Sequence, residues 1–100
     1  MELETLSKIE ADAGSVRLTL RSRGKPSYQY VYRTAKGLYW DAIAGAFTFD
    51  GGRTWTTVAA IRHVTTVLRE EMGIEVQFDG DVAWIGISEE ARNALQDSPL

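Results

Sequence analysis

Hydrophobic and polar positions alternate with a period of two in the first third of the chain. Segment 16–20 alternates Val and Leu with Arg17 and Thr19, and segment 28–34 places three tyrosines on one side. Successive side chains of a β-strand point to opposite faces, so both segments predict strands. The stretch between them, residues 22–27, contains Gly and Pro and predicts a loop. The pattern therefore predicts a β-hairpin over residues 15–36.

The next segment is rich in aromatic and β-branched residues, which favour strands. It runs from Leu38 to Phe49 and is interrupted by Ala44 and Gly45. We therefore expect two short strands that extend an antiparallel meander. Residues 50–52, Asp-Gly-Gly, end this part of the sheet.

A helical period follows, and it predicts the main helix over residues 54–72. Its apolar stripe consists of Val58, Ile61, Val64, Leu68 and Met72. Residues three and four apart share one helix face, so this stripe is expected to face the core. Thr54 is the expected N-cap and Gly73 the expected C-terminal stop.

Two apolar runs, 74–78 and 82–87, flank Asp79-Gly80-Asp81. An Asp-Gly turn between such runs predicts a C-terminal hairpin. Ser88, followed by two glutamates, predicts the start of a short helix that ends before Pro99. In residues 1–12 the spacing of Leu3, Leu6 and Ile9 leaves both a short helix and an edge strand open.

These elements predict one α+β domain over residues 1–100. An antiparallel sheet, a meander of about four strands plus a C-terminal hairpin, is expected to pack against one main helix and a short C-terminal helix.

Charge is divided unevenly along the chain. Residues 1–40 carry seven Lys or Arg and four Asp or Glu, whereas residues 41–100 carry four and ten. No acid occurs between residues 13 and 40, where the cations alternate with aromatic residues. The two halves therefore suggest partners of opposite charge.

The basic and aromatic half suggests single-stranded nucleic-acid binding. Guanidinium groups neutralise phosphates, and exposed aromatic rings stack on unpaired bases. The residues expected to act in this alternative are Arg17, Arg21, Arg23, Lys25 and Tyr30. The same pattern also suits an ordinary strand pair with a polar outer face.

The acidic half suggests a protein partner with a cationic groove. Clustered carboxylates complement such a surface, and a large aromatic residue supplies buried area at its centre. The residues expected to bind this partner are Trp40, Glu70, Glu71, Glu75, Asp79 and Asp81. Trp55 and Trp84 are instead expected in the core.

Catalysis finds little support in the sequence. The chain has no cysteine and a single histidine, His63, which lies opposite the apolar stripe of the predicted helix and is expected to face solvent. Neither a glycine-rich phosphate loop nor a dinucleotide fingerprint occurs. We therefore expect no catalytic residue, no cofactor and no metal site. The sequence has neither a signal-peptide pattern nor a long apolar run, so the expected location is cytoplasmic, without a membrane partner.

The leading hypothesis from the sequence is a small non-catalytic inhibitor or adaptor. It would act by steric and electrostatic blocking of a protein that handles nucleic acid. In its general type, compact, acidic and without cysteine, the chain resembles anti-CRISPR proteins and the immunity proteins that neutralise nucleases. This resemblance rests on composition and implies no residue roles. A homodimer is also compatible with the charge division.

Overall fold

The computed structural model describes residues 2–78 and 80–97. These residues form six strands, two α-helices and one 3-10 helix. In chain order the elements are β1 Glu2–Asp12, β2 Ser15–Leu20, the 3-10 helix Pro26–Arg33, β3 Leu38–Asp41, β4 Ala46–Asp50, α1 Thr57–Met72, β5 Ile74–Gln77, β6 Ala83–Ile85 and α2 Glu89–Asp97.

The strands form one mixed sheet in the order β3-β4-β2-β1-β5, and β6 lies beside the second half of β1. Strands β1 to β4 pair antiparallel, so the predicted antiparallel meander is right in part. Strands β5 and β6 both pair parallel with β1. The predicted C-terminal hairpin is therefore wrong, because β5 and β6 use β1 as their partner instead of each other.

The N-terminal segment, which the sequence left undecided, is the long central strand β1. Its register shifts between Leu6 and Lys8, where a β-bulge inserts one extra residue. Because of this shift, Leu6 and Ile9 both face the core although they are three residues apart, and neither is exposed. This spacing gave the segment its helical appearance.

The predicted strand 28–34 is also wrong, since residues 26–33 form the 3-10 helix. Pro26 occupies its first turn, where its fixed φ suits a helix and its missing N–H is not needed. Tyr28 and Val31 are buried, and their spacing of three matches the three residues per turn of this helix type. The alternating tyrosines therefore mark two sides of a helix and not one face of a strand.

Helix α1 agrees with the prediction apart from its first turn. Its N-cap is Thr56, whose side chain accepts a hydrogen bond from the backbone N–H of Ala59 at 3.1 Å. Gly73 ends the helix in the left-handed conformation, with φ of 67°. Ser88 caps α2 in the same manner, through the N–H of Ala91.

The core lies between the sheet and a layer made of the 3-10 helix, α1 and α2. It includes Leu18, Phe47 and Ile61, all without exposed surface. The opposite side of the sheet, here called the outer face, has no helix over it among the described residues.

Candidate functional site

The outer face is a polar and aromatic surface built by strand alternation. The cross-strand pairs place Tyr39 beside Thr48, Thr48 beside Arg17, and Arg17 beside Glu10. Glu10 in turn lies beside Ile85 of β6. The outer face thus presents one continuous row across five strands. Its charged members in the strands are Lys8, Glu10, Asp12, Arg17, Asp41, Asp50 and Glu75, and Arg21 continues the same alternation one residue past β2, opposite Thr5.

Carboxylates outnumber cations on the outer face. Lys8 Nζ lies 3.2 Å from Glu10 Oε1, and Arg17 Nη2 lies 3.9 Å from Asp41 Oδ2. Each of these two cations therefore has an acid of the same surface beside it. Asp12, Asp50 and Glu75 have no cation within ion-pair distance among the described residues. Asp50 Oδ1 accepts a hydrogen bond from Ser15 Oγ at 3.1 Å. The outer face therefore carries more negative than positive charge.

A groove of about 620 Å³ runs along the outer face. Its rim carries two large side chains, Tyr39, which is 57% exposed, and Ile85, which is 48% exposed. Thr48 and Arg17 lie between them in the row of cross-strand pairs and also line the groove. Aromatic and aliphatic side chains around a polar centre give a surface both apolar area and directional contacts.

A second surface is the exposed side of the 3-10 helix. Tyr30 and Tyr32 are about half exposed, and the guanidinium carbon of Arg33 lies 4.8 Å and 5.6 Å from the centres of their rings. Arg33 has no carboxylate partner among the described residues. This Tyr30–Tyr32–Arg33 cluster combines flat rings with positive charge.

A buried carboxylate holds the 3-10 helix against the sheet. Glu4 of β1 is only 6% exposed and accepts hydrogen bonds from Tyr28 Oη and from Ser22 Oγ, the latter at 2.7 Å. Burial, and secondarily the hydrogen bond to Glu4, raises the pKa of Tyr28 well above its usual value. The Tyr28 ring also packs against Trp40 and Phe47, with ring centres 5.3 Å and 5.4 Å away.

An ion pair at the surface also connects the start of the 3-10 helix to β1. Lys25 contacts Glu2, and its hydrogen bond lowers the pKa of the Glu2 carboxyl. The tertiary position of the basic segment therefore depends on acids at the start of β1.

The acids predicted to bind a partner are not brought together. Glu70 and Glu71 are exposed at the end of α1, in the helical layer, whereas Glu75 lies on the outer face of β5. Asp81 is exposed between β5 and β6, and Asp79 lies outside the described residues. Glu10, Asp12 and Asp50 line one groove of the outer face, and they could be grouped only once the strand pairing was known.

The predicted basic site is also divided. Arg17 projects from the outer face, while Lys25 and Tyr30 belong to the 3-10 helix and its start. Arg23 is exposed in the loop between these elements, and Arg21 follows β2, with its backbone N–H bonded to the carbonyl of Thr5. The missed residues on the second surface are Tyr32 and Arg33, which the 3-10 turn places around Tyr30.

Trp40, the predicted anchor, is half-buried, and its ring contacts Tyr28 and Phe47. Trp55 and Trp84 both pack against the core cluster, in agreement with the prediction. Tyr39, the neighbour of Trp40, is the aromatic residue that projects from the outer face.

His63 does not face solvent freely, which corrects the sequence prediction. It is half-buried beside Trp55 and Phe49, with ring centres 4.9 Å and 5.2 Å away. The cause is the loop before α1, which folds Trp55 back onto the first turns of the helix. Within residues 2–78 and 80–97, no group of three or more His, Cys, Asp or Glu side chains is placed to hold a metal ion.

Comparisons with known proteins identify no family. No protein-family model matches the chain, and no curated protein matches it. None of the helices in the part of the chain that the structure describes is long and apolar enough to cross a membrane. One solved structure with some likeness is the integron cassette protein Hfx_Cass5, from the mobile metagenome of the North West Arm sewage outfall. It is 20% identical, the alignment covers 97% of this chain and 95% of that chain, and the TM-score is 0.40, a likeness that carries no argument about function.

Proposed function

We propose that this protein is a small, non-catalytic, cytoplasmic inhibitor or adaptor that covers a cationic surface of a nucleic-acid-handling protein with its outer face. The supporting observation is the uncovered sheet face, on which carboxylates exceed cations and large side chains flank a groove. This proposal keeps the class of partner expected from the sequence. It moves the contact surface from the end of α1 to the sheet.

The charge arrangement supports a basic partner more than an acidic one. Lys8 and Arg17 each lie beside a carboxylate of the same face, which weakens their attraction for an incoming anion. Asp12 and Asp50 lie at the same end of the face, on either side of Ser15 in the pairing of β1, β2 and β4. These two acids would attract lysines or arginines of the partner and steer its approach.

The apolar contribution would come from Tyr39. Tyrosine is enriched among interface residues that carry most of the binding energy, and its loss commonly costs more than 1 kcal/mol. Tyr39 lies at the edge of the same groove as Asp50, so one partner could contact both. Thr48, which pairs with Tyr39 across the strands and lies two residues before Asp50 on β4, supplies a hydroxyl for hydrogen bonding.

The test uses a panel of nucleases and other proteins with basic nucleic-acid grooves, each loaded with a labelled oligonucleotide. The protein is titrated into each complex, and displacement of the oligonucleotide is measured by fluorescence anisotropy. The double variant Asp12→Lys/Asp50→Lys is compared with Glu70→Lys/Glu71→Lys, which changes the net charge equally but on the helical layer. We expect displacement by the wild type, loss of at least about tenfold in potency for the first variant, and little change for the second.

Equal loss in both double variants would show that total charge, and not the outer face, controls binding. Displacement that survives Asp12→Lys/Asp50→Lys would exclude the outer face as the contact surface. Failure to displace any oligonucleotide in the panel would contradict the blocking mechanism itself.

A second candidate function, single-stranded nucleic-acid binding, is favoured by the Tyr30–Tyr32–Arg33 cluster. Its two tyrosine rings are exposed, and its guanidinium has no competing carboxylate among the described residues. Stacking of a base on an aromatic side chain contributes about 1–3 kcal/mol. The surface is small, however, and the chain as a whole has a net charge of −3.

This candidate is tested by titrating single-stranded and duplex oligonucleotides at low and physiological salt. Arg33→Ala and Tyr30→Ala should weaken binding to single strands about tenfold or more, and binding should fade with salt. Arg17→Ala is the matched control, because Arg17 lies on the other side of the sheet. Absence of binding at low salt, or equal effects of Arg33→Ala and Arg17→Ala, would exclude this candidate.

A further inference from the structure

A second cavity lies at the open end of the β3–β4 pair, where β3 begins and β4 ends, and is bounded by the first turns of α1. Its volume is about 520 Å³, within the range of pockets that hold small molecules. It adjoins the groove of the outer face and shares Tyr39 and Asp50 with it. The side chains that give the cavity its chemistry are Lys36, Tyr39, Phe49, Asp50, Trp55 and His63.

One wall of the cavity is aromatic. The rings of Trp55 and His63 lie 4.9 Å apart at 32° to each other, and Phe49 meets Trp55 edge to face at 5.3 Å. Gly51 lies so close that a Cβ there would approach the Phe49 and Trp55 rings to 2.6 Å. The wall is therefore closely packed. Trp55 and His63 remain only half-buried and so offer ring surface to a flat ligand.

The polar side chains of the cavity retain capacity for hydrogen bonds or ion pairs with a ligand. Lys36 has no ion-pair partner among the described residues, and the imidazole nitrogens of His63 have no hydrogen-bond partner there. Asp50 uses Oδ1 to accept from Ser15, which leaves Oδ2 for another donor. Lys36 and Asp50 line one cavity without neutralising each other.

We propose that this cavity binds a small flat nitrogen heterocycle that carries an anionic group, the chemistry of a nucleoside monophosphate. The heterocycle stacks on the Trp55 and His63 wall. An amino or ring N–H group donates to Asp50 Oδ2, and the anionic group binds the Lys36 ammonium. Three kinds of contact in one cavity select for a molecule that has all three parts. The proposal does not depend on the macromolecular partner proposed above, although this cavity and the proposed contact surface share Tyr39 and Asp50.

The experiment uses the 15N-labelled 100-residue chain and follows its three tryptophan indole N–H signals by NMR. The Trp55 signal is assigned with Trp55→Phe, and Trp84, on β6, serves as the internal reference. The probe is adenosine 5′-monophosphate, compared with adenosine and with inorganic phosphate. We expect a saturable shift of the Trp55 signal with the nucleotide, with a dissociation constant in the millimolar range or below, about 4 kcal/mol or more of binding free energy.

Lys36→Gln should weaken nucleotide binding about five- to tenfold and bring it close to that of adenosine, because the contact to the anionic group is lost. Lys8→Gln is the matched control, since Lys8 lies on the outer face against Glu10 and outside this cavity. Both are surface changes that leave the aromatic wall intact, so folding is retained.

Several outcomes would overturn the proposal. One is a Trp55 signal that does not move, or moves without saturation, up to about 10 mM nucleotide. Another is equal weakening by Lys36→Gln and Lys8→Gln, which would indicate general electrostatic attraction. A shift of the Trp84 signal as large as that of Trp55 would show that binding is not at this cavity.

Discussion

The buried hydrogen bond between Tyr28 and Glu4 offers a sharp test of how the 3-10 helix is held. The change is Tyr28→Phe, which removes one oxygen and leaves the ring packed between Trp40 and Phe47. Glu4 then keeps the hydroxyl of Ser22 as its remaining side-chain donor among the described residues. A carboxylate that is only 6% exposed cannot replace the lost donor freely with water.

The expected magnitude follows from the charge of the acceptor. Hydrogen bonds to charged groups contribute about 1.5–3 kcal/mol, and a buried group left unsatisfied costs a similar amount. We therefore expect Tyr28→Phe to lower the free energy of unfolding by about 2 kcal/mol. For a domain of this size that corresponds to a decrease of about 10 °C in Tm.

The assay is urea unfolding at neutral pH, followed by tryptophan fluorescence and circular dichroism. Tyr39→Phe is the matched control, because its hydroxyl belongs to an exposed side chain, and we expect a change within about 0.5 kcal/mol. A double-mutant cycle with Glu4→Gln isolates the pairwise energy. Equal effects of Tyr28→Phe and Tyr39→Phe, or additive effects of Tyr28→Phe and Glu4→Gln, would refute the role assigned to this hydrogen bond.

The same tyrosine predicts the direction of a pH effect. The pKa of Tyr28 in the folded protein is raised above the ordinary tyrosine value of 10.0, so the folded state holds the phenolic proton more tightly than the unfolded state. This contribution to stability is present below about pH 10 and is lost as the pH rises further. Tyr28→Phe should abolish that part of the alkaline decline, measured by urea unfolding at pH 8 and above pH 10. An unchanged decline would contradict the assignment.

The remaining predictions concern local structure. Thr56→Ala should lower the free energy of unfolding by about 1 kcal/mol through loss of the α1 N-cap, whereas Thr54→Ala should change it little; equal effects in urea unfolding would contradict the capping assignment. Gly51→Ala should destabilise the protein by about 1–3 kcal/mol, because its Cβ would lie 2.6 Å from the Phe49 and Trp55 rings, while Gly80→Ala, with open space around it, should be close to neutral in the same assay. Lys25 lowers the pKa of Glu2, so this ion pair contributes a small stabilisation that is present above pH 4.5 and is lost as the pH falls below it. Glu2→Gln should remove this stabilisation, which thermal unfolding at pH 3 and pH 7 in low salt checks. An unchanged pH dependence of Tm in the variant would contradict the prediction.

Local periodicity determined much of the fold from the sequence alone. The alternation in 16–20 predicted β2, and the helical stripe ending at Gly73 predicted α1. The two short strands before α1 and the cap at Ser88 were also predictable. These elements depend on neighbours in the sequence, such as the side chain that caps a helix, so no knowledge of the tertiary structure was needed.

The wrong predictions arose where one sequence pattern was compatible with two different structures. Tyrosines at every second position suit a strand, yet Pro26 and the Tyr28–Val31 spacing fit a 3-10 helix, and burial against Trp40 decided between them. In β1 the bulge changed the period, so a strand displayed a helical spacing. An Asp-Gly turn favoured a hairpin, but the long central strand offered two parallel pairings instead.

The candidate sites were decided by the tertiary structure. The sequence indicated the chemical classes, an excess of acids in one half and a basic aromatic segment in the other. It could not show that Glu10, Arg17 and Tyr39 share one face, because strand order and register fix which distant residues become neighbours. Nor could it show that Trp55 folds onto His63, since that contact forms only when the loop packs on α1. The sequence determines the chemical type of each residue, whereas the distances between residues that make a binding site are determined only by folding.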